Sequence, residues 1–392
     1  MNNTPDKIEA QSIIILIVHN IIWSKYKGWI FSSLHTLAER DGIDIEFIQI
    51  AETENDRVGL VGVDLTYHQY PYKLLFTGSY GDVPKLSLAK QLFLEVWHTN
   101  ADFVLLPGYH LPEYWIMLLA ARLRGKAVGV FCDSTAYDRP HSFIKGLMKR
   151  IFFSQCDVFF GYGLRSREYL MSYGAPSKNI YFKCQAAALP HDYDANTVLA
   201  CRSASVVEHE LRYLFVGRLS LEKNLSDLLH AFKKVLLNYS KARLVVVGSG
   251  PLNTKLIVLA AHLGLDNSVE FAGAKNVDGL REEYLKACCL VLPSSSEAWG
   301  LVVNEALSYG CPVVVSHRCG CVPELVIEGE TGFSFECGNV DELTAKMIEV
   351  PRVFSNTEAT AQRCIGLIAR YSPENAAQQI LDGCRTVLKK SK

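Results

Sequence analysis

The chain has 392 residues with 40 lysines and arginines against 41 aspartates and glutamates, so it carries no overall basic field of the kind that holds nucleic acid. That length is too great for one compact core and suits two domains of about two hundred residues each, with a cleft between them. Hydrophobic residues make up 49% and charged residues 21%, an ordinary globular balance that excludes a long disordered or low-complexity segment.

The opening residues, MNNTPDKIEAQ, lack the cationic start and small-residue cleavage site of a secretory leader. No apolar run approaches the ~20 residues that span a bilayer, so a cytoplasmic location is expected. The twelve cysteines are scattered, several of them inside strand-like runs such as AVGVFC and CCLVLP, which suits small buried hydrophobes in a reducing compartment better than a disulfide framework. Cys319 and Cys321 form the closest-looking metal pair, but no second ligand pair follows at zinc-finger spacing.

In chain order, the first half alternates short apolar runs with helical patterns. SIIILIV is followed by a helix through WIFSSLHTLAER, then IDIEFIQI, DFVLLPG, a helix from Pro112 to Arg124, KAVGVFCD, a helix around FIKGLMKRIFF and DVFFGYG. Such alternation predicts βαβ units and a parallel sheet buried on both faces. Residues 185–210 turn polar and lose periodicity, as a connection between domains does. The second half repeats the alternation from RYLFVG through RLVVVG, VEFAG, CCLVLPS and PVVVS to PELVIEG. The expected domains are 1–190 and 191–372, with a last helix at about 373–392 packing back on the first.

In a doubly wound sheet, ligands bind beyond the carboxyl ends of the strands. After YLFVG come Gly217, Arg218 and, five residues on, Lys223, two cations placed to hold a diphosphate. In PSSSEAWGLVVNEALSYG, Glu297 follows a strand, and Gly300, Leu301 and Val302 stand where a helix begins. Their backbone N–H groups favour phosphate. Glu305 lies one turn further in, so two carboxylates can accept hydrogen bonds from hydroxyls at two ends of one elongated ligand. A helix start that merely carries favourable acidic residues is the plainer alternative.

The segment SSSEAWGLVVNEALSYGCPVVVSHRCGCVPELVIEGETGF, with LFVGRLSLEKN and VVVGSGP, resembles the retaining glycosyltransferases of family 4. The similarity is dense from about residue 212 to 333. It implies an α/β protein of the GT-B fold, two doubly wound Rossmann-like domains whose parallel sheets face a central cleft. It also implies that Glu297 and Glu305 form the family's E-x7-E pair, the first on the transferred sugar and the second on the nucleotide ribose. Arg218 and Lys223 then match the cations that stabilise the donor diphosphate, with Gly217 before them. Gly300, Leu301 and Val302 match the helix start beside sugar and phosphates, and Ala274 stands where the base packs. Transfer of a hexose from a nucleoside diphosphate sugar, UDP-glucose by frequency, to a glycan, lipid-linked or small-molecule acceptor is the implied reaction, in polysaccharide or glycolipid biosynthesis.

No cofactor and no metal are expected. The only Asp-x-Asp run, Asp192 to Asp194, falls in the predicted linker, and the paired cations with a helix dipole can neutralise the leaving group. The first half departs from the family. Cys132 stands at the usual histidine position, followed by Asp133 as a candidate sugar or acceptor contact, and only Gly28 remains of the glycine-rich loop after the first strand. VVVGSGPLN lacks the third glycine of a dinucleotide fingerprint. His110 and His141 read as ordinary polar positions, with a place lining the acceptor cleft as the alternative for either. The helix carrying Phe143 to Phe152 with Lys145, Lys149 and Arg150 is expected to face the domain core. Peripheral contact with an anionic membrane, at its inner face, is the alternative. Rival functions are a sugar-nucleotide epimerase or hydrolase of the same fold and a non-catalytic two-domain sugar-binding protein.

Overall fold

A computed structural model describes residues 13–55, 62–137, 143–205 and 211–389. Among these, the first domain contains β1 (Ile13–Ile21), α1 (Lys25–Arg40), β2 (Ile43–Ala51), β3 (Tyr72–Leu74), α2 (Lys85–His98), β4 (Phe103–Leu106), α3 (Pro112–Leu123), β5 (Ala127–Cys132), α4 (Phe143–Ser154), β6 (Val158–Gly161), α5 (Leu164–Ser172) and β7 (Ile180–Tyr181). The strands form one parallel sheet in the order β3-β2-β1-β4-β5-β6-β7. Successive residues of β1 point to opposite faces, which explains its unbroken apolar run: Leu16 and Val18 join the core beneath α2 and α3, while Ile15 and Ile17 join the core beneath α1.

The second domain follows with α6 (Ala195–Ser205), β8 (Arg212–Val216), α7 (Leu225–Val235), β9 (Arg243–Val247), α8 (Asn253–His262), β10 (Val269–Gly273), α9 (Val277–Lys286), β11 (Cys289–Leu292), α10 (Leu301–Ser308), β12 (Val313–Ser316), α11 (Val322–Leu325), β13 (Gly332–Phe335), α12 (Val340–Val353) and α13 (Thr357–Ile368). Its sheet is also parallel, in the order β10-β9-β8-β11-β12-β13. In α7, Leu225, Leu228, Leu229, Phe232 and Val235 recur at helical spacing and are all buried against this sheet. The last helix, α14 (Pro373–Leu388), returns to the first domain, where Ile380, Leu381 and Cys384 share a core with Ile30, Phe31 and Leu34 of α1.

Four expectations change. PELVIEG, read into the alternation of apolar runs, begins in the short helix α11, and the edge strand β13 follows it at Gly332–Phe335. The segment 185–210, read as a connection, contains α6. Its Arg202 is buried and donates to the Tyr284 and Leu285 carbonyls at 2.7 and 2.8 Å, which ties the helix to the second domain. Gly28 lies inside α1, where a Cβ would come within 2.7 Å of the His68 ring, so close packing explains the glycine. And α4 does not cover the core with its apolar residues: only Phe152 and Phe153 are buried, while Phe143 is 90% and Ile144 70% exposed. His141 falls outside the described residues.

The loops after β6 and after β11 and β12 touch, so the carboxyl ends of the two sheets face one another. Leu164 N–H donates to Glu324 Oε2 at 2.9 Å, and Arg165 Nη1 donates to the Cys319 carbonyl at 2.8 Å. Gly163 has no room for a side chain, because a Cβ would overlap Glu324 and Trp299 of the opposite domain.

Candidate donor site

Two glycine loops build the floor of the site. Gly217 N–H donates to the Val247 carbonyl at 3.0 Å, Leu219 N–H to Ser249 at 2.9 Å, and Leu252 N–H back to Leu219 at 3.0 Å. A Cβ at Gly248, whose φ is +136°, would collide with the Gly217 carbonyl. VVVGSGP is therefore a backbone buttress under the loop that carries Arg218. Gly248 N–H also donates to the Gly273 carbonyl at 2.8 Å, and the next residue, Ala274, is exposed on the loop leaving β10.

Beyond Leu219, residues 221–223 make one 3-10 turn, and Asn224 adopts the left-handed conformation (φ 53°) that lets α7 start. The turn is pinned to the next loop by Ser295, whose N–H donates to the Glu222 carbonyl at 2.8 Å. Lys223 Nζ consequently lands on Glu297 Oε2, which also accepts from Ser294 Oγ at 3.4 Å. The structure thus brings two of the sequence candidates into direct contact, a cation and an acid from loops 74 residues apart.

Glu297 is held from its other side as well. Gly320 N–H donates to the Glu297 carbonyl at 2.9 Å and Cys321 N–H to Trp299 at 3.0 Å, so the RCGC turn is a clip on the acidic loop. Cys319 and Cys321 are buried there, and burial pushes both thiols up. Trp299, buried, donates from Nε1 to Asn304 Oδ1 at 2.7 Å and fastens the loop to α10. Gly300 takes φ +102°, which glycine supplies without strain, and α10 opens directly after it with Leu301 and Val302.

Glu305 sits deeper, half-buried on the second turn of α10. Burial pushes its carboxyl up to about 7, opposed by the Tyr284 hydroxyl, which donates to Oε2 at 2.7 Å. Tyr284 stacks on Tyr309 at 5.6 Å, and Tyr193 meets Tyr309 edge-on. The Asp-x-Asp run is structural: Asp194 accepts from the N–H and hydroxyl of Thr197 at 2.7 Å, and Asp192 pairs with Arg281 at 3.5 Å.

Asp133 stands apart from this group, exposed at the end of β5 in the first domain. Near it Lys27 is buried against the Phe131 ring, 4.3 Å from its centroid. Burial lowers the Lys27 ammonium to about 8, against the Cys184 thiol and the Asp133 carboxylate, which raise it.

Tyr284, Arg165 and Glu324 escaped the sequence reading, although Glu324 lies in the quoted motif CVPELV. Burial pushes the Glu324 carboxyl up to about 7, opposed by the Leu164 N–H and by Lys183. Unfolded, the same group titrates near 4.5, so between those values the folded protein keeps a proton that the unfolded chain releases. Stability is lost as pH rises through this window, and above 7 the loss is complete at about 3 kcal/mol. The variant Glu324→Gln is therefore expected to melt higher than the parent at pH 8, with the gap closing toward pH 5. Parallel melting curves at both pH values would contradict the assignment.

Residues 202–364 match the family described as glycosyl transferases group 1. An uncharacterized glycosyltransferase of Methanocaldococcus jannaschii is 41% identical over 115 residues, 29% of this chain and 29% of that protein. The sulfoquinovosyl transferase of Arabidopsis thaliana is 36% identical over 137 residues, 34% of this chain and 25% of the relative. The chain thus spans less than a third of the length of these curated relatives. The crystal structure of Anabaena HepE in complex with UDP-glucose superposes with a TM-score of 0.69 at 17% identity, covering 95% of this chain and all of that one. The fold is GT-B: two parallel-sheet α/β domains facing each other.

Proposed function

We propose that the chain is a retaining, metal-independent glycosyltransferase of family 4 that moves a hexose from a nucleoside diphosphate sugar, UDP-glucose being the first donor to try, to a hydroxyl of a glycan, glycolipid or small molecule. The second domain takes the donor and the first, with Asp133 at its rim, takes the acceptor. The observation that carries the reading is the contact of Lys223 with Glu297 at the opening of α10, on the same loop as Arg218. A cation that already faces an acid is placed to exchange that partner for a diphosphate while the acid turns to sugar hydroxyls. The group 1 family match covers this segment, and the similar Anabaena structure holds UDP-glucose.

In the proposed reaction the bond between the anomeric carbon and the diphosphate oxygen breaks, and the acceptor oxygen bonds to that carbon from the same face. Negative charge gathers on the departing diphosphate, where Arg218, Lys223 and the first N–H groups of α10 stabilise it. The acceptor proton passes to the departing oxygen, so no strong base is needed. Glu305 accepts from ribose hydroxyls, and Ala274 borders the base. The enzyme works in the cytoplasm, in polysaccharide or glycolipid assembly.

The test is a thermal-shift screen of nucleoside diphosphates with the full chain, followed by turnover of the matching sugar nucleotides with and without hydroxyl acceptors in the presence of a chelator. UDP is expected to raise the melting temperature, and turnover to require an acceptor. Absence of any shift across UDP, GDP, ADP and dTDP overturns the donor site, and acceptor-independent release of nucleotide at full rate replaces transfer with hydrolysis or epimerisation.

A further inference from the structure

Helix α4 is the least covered element of the first domain. Phe143, Ile144, Leu147, Met148 and Ile151 are exposed by 90, 70, 52, 48 and 48%, on one helix whose buried side consists of Phe152 and Phe153. Five large apolar side chains in twelve residues form a continuous apolar stripe, whereas isolated exposed apolar residues are normal. The neighbouring helices extend it. On α3, which packs on α4 through Trp115 and Phe152 at 5.0 Å, Leu119 and Leu123 are exposed. On α5, Met171 is exposed.

The charge on α4 itself has one sign, and the one acid of α5, the exposed Glu168, stands among Arg165 and Arg167. Lys145, Lys149 and Arg150 lie on α4, which has no acid. Lys149 rests over the rings of Tyr169 and Tyr173 at 5.1 and 5.0 Å, so its ammonium is held on the helix flank. Residues 112–178 contain ten lysines and arginines against five acids in a chain that is otherwise balanced. A water-soluble protein face that is apolar along its crest and cationic along its flanks matches the layered chemistry of an anionic bilayer, acyl chains within and phosphates at the surface. A protein partner would need only one of the two.

We propose that α4 docks the first domain on an anionic phospholipid surface, with Phe143, Ile144, Leu147, Met148 and Ile151 set among the headgroups and Lys145 and Arg150 on lipid phosphates. Because the strands run toward the cleft and α4 runs back between β5 and β6, its most exposed residues, Phe143 and Ile144, stand at the cleft end of the helix. Docking there brings the rim that carries Asp133 to the headgroup layer, which selects lipid-linked acceptors. That last step rests on the proposed transferase reading, but the docking itself does not.

The test is sedimentation of the full chain, without donor, with vesicles of equimolar phosphatidylglycerol and phosphatidylcholine and with vesicles of phosphatidylcholine alone. Partition onto the anionic vesicles is expected to be about tenfold stronger or more, and to fall when salt is raised to about 0.5 M. The variant Ile144→Glu/Leu147→Glu, altered only at exposed positions, is expected to keep its melting temperature and to lose about tenfold or more of the binding. Lys145→Glu/Arg150→Glu is expected to bind the two vesicle types equally weakly. The proposal is overturned by failure of the parent to sediment with anionic vesicles, by undiminished binding of the Ile144→Glu/Leu147→Glu variant, or by a dimer in solution that this variant converts to monomer. A failed nucleotide screen with intact vesicle binding would remove the transferase reading and leave the docking face standing.

Discussion

Replacing Lys223 with alanine is expected to lower kcat by about a hundredfold to a thousandfold and to weaken UDP binding about tenfold or more, with a lower melting temperature. Two effects add. The departing diphosphate loses a cation, and Glu297, which Lys223 contacts, is left as an unneutralised carboxylate beside the phosphate site. Lys223 and Glu297 are only 17% and 20% exposed, so the unpaired carboxylate costs the fold as well as the ligand. Calorimetry that finds the same affinity for UDP in the parent and in Lys223→Ala would remove this cation from the site.

The second large effect is expected at Glu305. As a carboxylate it accepts from the Tyr284 hydroxyl and offers its remaining lone pairs to a pair of sugar hydroxyls. As a carboxylic acid it has one acceptor oxygen fewer and a proton to place. Burial sets that change at about pH 7, so affinity for UDP-glucose, whose diphosphate does not titrate in this range, is expected to rise as pH passes from 6 to 8. The variant Glu305→Ala should bind UDP-glucose about tenfold to a hundredfold more weakly at pH 8, the loss of one or two charged hydrogen bonds. Glu305→Gln should bind it with no pH dependence between 6 and 8. A parent whose affinity is equally flat would show that this carboxyl does not meet the donor.

The strands, the order of the βαβ units and the stretch from Pro293 to Ser316 were legible because their signals are local. Apolar runs mark buried parallel strands, and an acid, a glycine and a helical period follow one another without a break. What could not be read depends on contacts between distant segments. Tyr284 meets Glu305 across 21 residues, Arg202 meets Tyr284 across 82, and Arg165 meets Cys319 across 154. No periodicity in any one segment encodes such a pairing. The strands β3 and β7, three and two residues long, are too short to display a period. Gly28 was misread for a related reason: a glycine in a loop motif and a glycine under a packed ring look alike until His68 is placed on it.

Helix α4 shows the converse limit. Its composition is equally compatible with a covered and an uncovered helix, since density of apolar residues reports affinity for an apolar phase and not which phase is present. Only the packing of α3 and α5 beside it shows that two of its phenylalanines satisfy the domain core and that the rest lie outside.

Arg165 leaves the first domain to grip the turn at Cys319, and that turn is stitched through Gly320 to the backbone of Glu297. The two lobes are therefore geared: any rotation of one against the other pulls on the strap that carries Glu297. A protein built this way ties the setting of its lobes to the position of one carboxylate, so a change in the angle between them is felt at Glu297 before it is felt anywhere else on that loop.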